Sequence, residues 1–534
     1  MKMTFYGAAK AVTGSCTCIE CNNKQILIDC GLQQGRDEVD NSFFEFFAHA
    51  IDDLIVTHAH IDHSGRIPLL VKKGFRGKIF CTRMTAHLLE IMLHDSAHIQ
   101  EMETQWKNQK GKRAGKPLLE PLYTFEDVEK ALDLIYVCEY GEFLDIEDGV
   151  RVRFTDAGHL LGSACIELWL KEGNVEKKIV FSGDLGNVNQ PIIKDPQPIS
   201  PPTADYVVTE STYGDQNHNP PENYTKALAE VIDDTFAKGG NVIIPSFAVG
   251  RTQELLYFIR EMKEQGMVKN NPDFKVIVDS PLASKATKIF SGDLQGYLDE
   301  EALLALQSRA LFTFPGLTLT ETNEESKALN EDPTPKVIIS ASGMCDAGRV
   351  RHHLKHNLWR PESTVVFVGY QVQGTLGRYL IDGAKEVRLF GENIAVCARI
   401  VNFKGMSSHA DCSHLLEWAE QFKDSAPAQY FVIHGDPEVS EVYSQLLRDR
   451  GLPAHVPEYR EVYDLATNSL VFAGVPRPEK VKTSRKAKGS AAYIRLENVG
   501  LALADLISNS KGRTNKDLAK FADQLLALME KFKN

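Results

Sequence analysis

Residues 57–63 read Thr57-His58-Ala59-His60-Ile61-Asp62-His63, directly after the apolar run Leu54-Ile55-Val56. Three imidazoles and a carboxylate fall within six positions. A short β-branched run followed by such a loop predicts a strand that delivers four metal-ligand side chains to one point. Imidazole together with carboxylate suits zinc and similar divalent ions. The competing reading is a chance histidine cluster on a surface loop, and the rest of the chain argues against it.

Working outward, further candidate ligands stand where other apolar runs end. Asp29 closes Ile26-Leu27-Ile28, and His159 follows the run that ends at Thr155. Asp184 follows Val180-Phe181, and His434 follows the run 430–433. Each alone is a weak signal. Four ligands cannot complete two cations, whereas His58, His60, Asp62, His63, His159, Asp184 and His434 can. Glycines beside His159, Asp184 and His434 let the backbone turn tightly there.

Short apolar, β-branched runs recur along the chain, with helical patterns between them at 84–101, 125–134, 223–238, 251–265, 413–422 and 439–450. The class is therefore mixed α/β, with its ligand-rich loops at the ends of strands. The 534 residues exceed one ordinary domain. No run of 18 apolar residues is present, so no membrane span is expected. Ten cysteines without a framework, and no signal-peptide core, point to the cytoplasm. Cys16, Cys18 and Cys21 read as strand residues, since no partner cluster follows. Lys107 to Lys116 reads as a basic loop.

The formal charge of −12 argues against nonspecific coating of nucleic acid. It is unevenly spread. Residues 476–534 hold 13 Lys and Arg against 6 Asp and Glu, a local +7, which leaves the first 475 with −19. The tail opens as a Pro-, Lys- and Ser-rich linker. Two helices are expected after it, one near 499–508 and one capped by Thr514. In the second, Leu518, Phe521, Leu525, Leu528 and Phe532 share a face.

Asp29, the run His58-Ala59-His60-Ile61-Asp62-His63, His159 and Asp184, in that order, resemble the four motifs of the metallo-β-lactamase fold. Glu210-Ser211-Thr212-Tyr213-Gly214, Ser408-His409-Ala410-Asp411 and Ile433-His434-Gly435 resemble motifs A, B and C of the β-CASP nucleases. Pro245-Ser246-Phe247-Ala248-Val249-Gly250-Arg251 and Ser340-Ala341-Ser342-Gly343-Met344 look like the branch that contains the cleavage-and-polyadenylation endonuclease subunit and its bacterial and archaeal relatives. The resemblance covers about residues 1–470 and has no counterpart for the basic tail.

The resemblance implies an αββα sandwich with an inserted α/β domain. Its parts would be 1–214 and 404–475 for the metallo-β-lactamase domain, 215–403 for the β-CASP domain, and 476–534 for the linker and C-terminal helices. It implies two zinc ions, with manganese the alternative. His58, His60 and His159 would hold one, Asp62, His63 and His434 the other, and Asp184 would bridge them. Asp29 would orient a ligand from behind. His409 would be the general acid, with Glu210 hydrogen-bonded to it. The implied activity is a ribonuclease that hydrolyses single-stranded RNA by a metal-activated hydroxide, in an enzyme that is a homodimer. Arg251, Ser342, Gly343, Arg349 and Arg378, near loop glycines, are candidate RNA contacts.

Three other functions remain open at this point. A small-molecule hydrolase of the same fold, a thioesterase or lactonase, needs neither the long segment between Gly214 and Lys404 nor Glu210 and His409. A DNA-directed β-CASP nuclease usually lacks the histidine present at His434. An inactive scaffold of an RNA-processing complex does not need all seven ligands intact.

Overall fold

The computed structural model describes residues 1–35, 40–113, 115, 117–219, 223–308, 311–403, 406–476 and 514–532, with 499–500, 503, 506–507 and 510 between the last two. The main unit comprises Met1–Ser42 and Ala48–Glu479. Its first strands are β1 (Lys2–Phe5), β2 (Thr17–Cys21), β3 (Lys24–Ile28), β4 (Asp53–Ile55), β5 (Ile79–Thr82) and β6 (Ile135–Cys138). The next are β7 (Leu144–Glu147), β8 (Val150–Asp156), β9 (Ala164–Glu172), β10 (Val175–Phe181) and β11 (Tyr206–Thr209). After these come β12 (Val242–Pro245), β13 (Lys275–Val278), β14 (Leu317–Leu319), β15 (Lys336–Ser340) and β16 (Thr364–Phe367). The hairpin β17 (Glu386–Leu389) and β18 (Glu392–Ala395) and the strand β19 (Arg399–Asn402) follow. The series closes with β20 (Gln429–Val432), β21 (Ala454–His455), β22 (Val462–Asp464) and β23 (Ser469–Phe472).

Two sheets make the sandwich. One has the order β23-β22-β1-β2-β3-β4-β5-β6, the other β21-β20-β11-β10-β9-β8-β7. Alternate residues of a strand face opposite sides of its sheet. Ile179 and Phe181 accordingly point between the sheets, where they join Met3, Phe5, Ile26, Ile166 and Phe431 in one buried core. Val180 points the other way, and with Val207, Tyr430 and Val432 it packs under Leu415, Ala419, Tyr443 and Leu447. Those four belong to the helices Cys412–Glu420 and Pro437–Asp449. The helix Arg83–Lys112 lies against β5 and β6 on the first sheet. The layers are therefore helix, sheet, sheet, helix, as the resemblance implied.

A third sheet, β14-β13-β15-β12-β16-β19, has every strand pair parallel. Its strands read as near-continuous apolar runs because both faces are covered. Ile243, Ile338, Val365 and Phe367 pack with Val350, Leu354, Leu358 and Leu380. All of it lies between β11 and β20. Those two are adjacent and parallel in the second sheet, from Tyr206 opposite Gln429 to Thr209 opposite Val432. The chain thus leaves the sandwich at one strand, builds a separate sheet, and re-enters beside the strand it left.

The basic stretch expected as a loop is helical through Lys112. Thr82 caps the helix by accepting from Thr85 N, and Lys107 bridges Glu103 one turn back. Lys and Gln are good helix formers, and the Lys107–Glu103 pair offsets part of the repulsion among the basic residues. In the second unit, Phe43–Phe47 with Lys480–Asn534, the helix Asn515–Lys531 forms as expected. Thr514 accepts from Asp517 N as its cap. No residue of that helix is buried, and Phe532 beyond its end is 78 % exposed. The linker and most of the helix expected near 499–508 fall outside the described residues.

Candidate metal centre and active site

Six strands end at the site. The residues after β3, β4, β8, β10, β11 and β20 carry Asp29, the string 57–63, His159, Asp184, Glu210 and His434. The loops interlock through the backbone. Asp29 N donates to Ile55 O, Cys30 N to His63 O, and Ser15 N to Asp62 O. A Cβ at Gly31 would stand 1.6 Å from Asp62 O, so only glycine lets these loops approach. Asp29 and His434 hold φ of +62° and +51°. That region is uncommon for residues with a side chain, and its strain gathers at functional sites.

The seven predicted ligands converge in two groups. His58, His60, His159 and Asp184 form one, Asp62, His63 and His434 the other. Between the groups lies Asp184. Its Oδ2 is 3.5 Å from His58 Nε2 and 3.6 Å from His159 Nε2. Its Oδ1 is 3.2 Å from His63 Nε2 and 3.7 Å from His434 Nδ1. Asp62 Oδ2 stands 3.6 Å from His434 Nε2.

The donor set can be tested for a metal. His58 Nε2 lies 3.0 Å from His60 Nδ1, which is 3.2 Å from His159 Nε2. His63 Nε2 lies 3.1 Å from His434 Nε2. Where both facing nitrogens present lone pairs they repel, and a cation among them would relieve that repulsion. Two ligands of a tetrahedral zinc with metal–nitrogen distances of about 2.0–2.1 Å stand about 3.3 Å apart, close to these separations. Burial pushes the imidazoles of His58, His60 and His159 down, His60 to about 4, so each offers a neutral ligand. Asp184 Oδ1 is buried and accepts no hydrogen bond among the described residues. An ionised oxygen in that position is costly without a partner. The residues fit metal ions.

Partners behind the ligands fix their orientation. Asp29 Oδ2 accepts from His63 Nδ1 at 2.7 Å and from Thr57 Oγ1 at 3.0 Å. Burial works against a charged His63, but Asp184 and Asp29 outweigh it and hold the ring above the usual range. His159 Nδ1 donates to Ser408 O at 3.2 Å. Thr212 Oγ1 lies 3.2 Å from His434 Nδ1.

His409 stands beside the ligands rather than among them. Its Nδ1 is 3.2 Å from both oxygens of Glu210 and 3.9 Å from Asp184 Oδ2. Leu185 N donates to Glu210 Oε1 at 2.6 Å and Thr212 N to Oε2 at 3.3 Å, so the carboxylate is held on both sides. The loop bearing His409 is stitched to the loop bearing Asp184. Ala410 N donates to Leu185 O and Asn187 N to Ser408 O, with a bridge between Gly186 and His409. Burial opposes protonation of His409, but Glu210, with Asp184 and Asp62 behind it, raises the ring to about 9.

The candidate RNA contacts divide differently. Arg251 is buried and paired with Glu254. Arg349 donates to Asp279 Oδ1 at 2.8 Å and to Glu321 O at 2.9 Å. Arg378 Nε meets both oxygens of Asp382 at 3.0 and 2.9 Å. All three guanidinium groups therefore have carboxylate partners inside the protein. Ser342 and Gly343 follow β15, and Gly343 O accepts from Gln371 Nε2 at 3.0 Å. Sequence reading missed His218, whose Nε2 donates to His409 O at 2.9 Å. It also missed Ser407, whose Oγ accepts from His409 N at 3.2 Å. Neither follows an apolar run, so no local signal marked them.

Similarity to known proteins agrees with this geometry. Residues 18–190 match the metallo-beta-lactamase superfamily domain. Residues 252–380 match the Beta-Casp domain, and residues 393–457 the Zn-dependent metallo-hydrolase RNA specificity domain. The chain is 35% identical to Ribonuclease TTHA0252 of Thermus thermophilus over 462 residues, 86% of this chain and 99% of the relative. It is 31% identical to Transcription termination factor FttA of Methanosarcina mazei, over 84% of this chain and 69% of the relative. It is 30% identical to an RNase J-like protein of Methanocaldococcus jannaschii, over 85% and 97%. The order of these three domains, the identity carried almost end to end, and a metal-competent donor set at their strand ends lead to one conclusion: the chain is a metal-dependent hydrolase of the β-CASP family of metallo-β-lactamase-fold RNA nucleases.

Proposed function

We propose that this protein is a zinc-dependent ribonuclease that cleaves phosphodiester bonds of single-stranded RNA, with residues 215–403 as the inserted β-CASP domain and the cleft beside it as the RNA path. The observation that carries this reading is Asp184, whose two oxygens address two separate ligand groups. His58, His60 and His159 would hold one ion, Asp62, His63 and His434 the other, and Asp184 both. When bound, such ions supply water acidified to a pKa of about 7 and positive charge against the phosphodiester.

The chain's own residues do the rest. Asp29, Thr212 and the Ser408 carbonyl aim the ligand imidazoles. The water gives up a proton to solvent as its oxygen bonds to phosphorus, and as the bond to the leaving oxygen breaks, His409 gives that oxygen its proton. Glu210 keeps His409 protonated until then and holds its Nδ1 side, so Nε2 is the donating atom. Together Glu210 and His409 favour a nuclease over a small-molecule hydrolase, which has no need of the pair.

The sign of the pH effect follows. A general acid works only while protonated, and a pKa raised to about 9 keeps His409 protonated through neutral pH. Activity should therefore fall as pH rises through the alkaline limb. Glu210→Gln removes the charge that raises the ring, so that limb should move to lower pH and the rate at neutral pH should drop. An unmoved limb in the kcat profile would mean that another group supplies the proton.

The overall reading is tested by metal content and substrate form together. Metal-replete protein should carry two zinc ions per chain and cleave unstructured RNA, with activity lost to a chelator and restored by zinc. A base-paired duplex is wider than a single strand and hides its base edges, so blunt duplex RNA should be cut at least about tenfold more slowly than unstructured RNA. Equal rates on both forms, or less than one ion per chain, would refute it.

A further inference from the structure

Strand β12 runs into Ser246-Phe247-Ala248-Val249-Gly250. From Val242 to Val249 every residue is buried except Phe247, which is 37 % exposed. The loop around it is held firmly. Phe247 O accepts from Thr252 Oγ1 at 2.7 Å and from Thr252 N at 3.3 Å. Two residues without side chains border the ring. A Cβ at Gly343 would lie 3.1 Å from Cδ2 and Cε2, and one at Gly369 3.5 Å from Cε2. The ring thus packs close against the Gly343 backbone, where a Cβ would crowd it, and lies within ordinary contact of Gly369. An aromatic side chain seated against glycine backbone and exposed within an otherwise buried loop has the form of a contact surface rather than of core.

Its position points to what it touches. On one flank, Gly250 comes against Leu160, with a Cβ there 3.0 Å from Leu160 Cδ1, and Leu160 follows His159. On the other, Gly369 precedes Tyr370, whose ring stands edge-on to Tyr213 with centroids 5.5 Å apart. The Tyr213 ring is in turn 6.3 Å from the ring of His409. Tyr370 is pinned, its hydroxyl donating to Asp436 Oδ2 at 3.2 Å, two residues past His434. Tyr213 and Tyr370 are both partly exposed. Tyr370 and Tyr213 therefore lead toward His409, and Gly369, which the Phe247 ring approaches, joins Phe247 to the start of that pair.

We propose that Phe247 is a base-stacking platform for the RNA strand, continued by Tyr370 and Tyr213, which sets how far the stacked nucleotide lies from the bond placed at His409. The inference rests on the nuclease reading and adds a positioning surface to it. Every base has a π face, so such a platform holds single strands with little regard to sequence. A duplex offers it nothing, because its base faces are already stacked. The paired arginines fit this division, since they leave little free guanidinium to grip phosphates and the strand needs another hold.

The test uses the full-length, metal-replete protein and short unstructured RNAs that carry one abasic nucleotide at successive positions. With the wild type, one position should raise KM roughly 5- to 100-fold while kcat changes little, the range expected for one lost base–aromatic stack. Phe247→Ala should raise KM by a similar factor on intact RNA and remove the penalty at that position alone. Phe247→Trp should restore both. RNA with 2-aminopurine at that position should be quenched on binding the wild type and not on binding Phe247→Ala, a readout that needs no turnover. Wild-type KM in Phe247→Ala, or a penalty that persists unchanged at every position in that variant, overturns the inference and leaves the nuclease reading intact. Rescue of KM by Phe247→Leu as complete as by Phe247→Trp also overturns it, because packing alone would then suffice. A wild type that neither binds nor cleaves RNA defeats the nuclease reading, and the platform falls with it.

Discussion

Asp184→Ala is expected to lose RNA cleavage to the detection limit and to lose most bound metal, the largest effect of any single ligand change. No other carboxylate in the site faces both groups. One of its oxygens stands 3.5 and 3.6 Å from His58 and His159, the other 3.2 Å from His63. Removing a group that only orients a ligand costs roughly 10- to 100-fold in affinity or activity. If Asp184 is shared as proposed, its removal would take a direct ligand from both ions and leave their positive charges without the carboxylate between them. His60→Ala should be milder, since it depletes one group only. Elemental analysis of the purified variants beside their cleavage rates decides the matter. Two ions per chain retained in Asp184→Ala would rule out the shared-ligand arrangement.

His409→Ala should keep its metal and its affinity for RNA while kcat falls about 10²–10⁴-fold, the usual worth of general acid catalysis. The histidine lies 3.9 Å from Asp184 and close enough to Glu210 to group with both as a third candidate ligand set. Geometry separates the roles. Its Nδ1 is engaged by Glu210, whose own oxygens are taken up by Leu185 N and Thr212 N. In the proposed arrangement seven other residues would already serve the two ions. If His409→Ala instead released one ion while KM stayed unchanged, the residue would be a ligand and the proton would have another source.

The candidate site was legible because its chemistry is written at the ends of apolar runs. A β-branched run followed by His or Asp marks both the strand and the place where the strand stops. That rule found all seven residues that converge in the two groups. It passed over β9, the strand Ala164–Glu172, because Glu167 interrupts the apolar pattern. That carboxylate is fully buried and paired with Arg153 and Lys178 on the neighbouring strands, both at 2.7 Å. Its partners come from across the sheet, where no local pattern reaches.

The arginines teach the complementary lesson. Glu254 is three residues after Arg251 and Asp382 four after Arg378, spacings at which helix side chains meet. Those two pairings were readable and outweigh the loop position that suggested phosphate contacts. Arg349 was different, since its partner Asp279 is 70 residues away, just past the end of β13. Fold class came through for the same reason as the ligands did. Which strands share a sheet did not, because β11 and β20 are neighbours in space with the whole third sheet between them in sequence.

That re-entry of the chain beside β11 sets a timetable for the protein's own synthesis. His63 and His434 face each other at 3.1 Å but stand 371 residues apart. At translation rates of about 5–20 residues per second, roughly 20–75 s separate their emergence. His159 and Asp184 follow His63 within that interval, whereas His409 and His434 come only after the third sheet has been made. The site therefore stays incomplete until residue 434 has been made, however early its first loops fold.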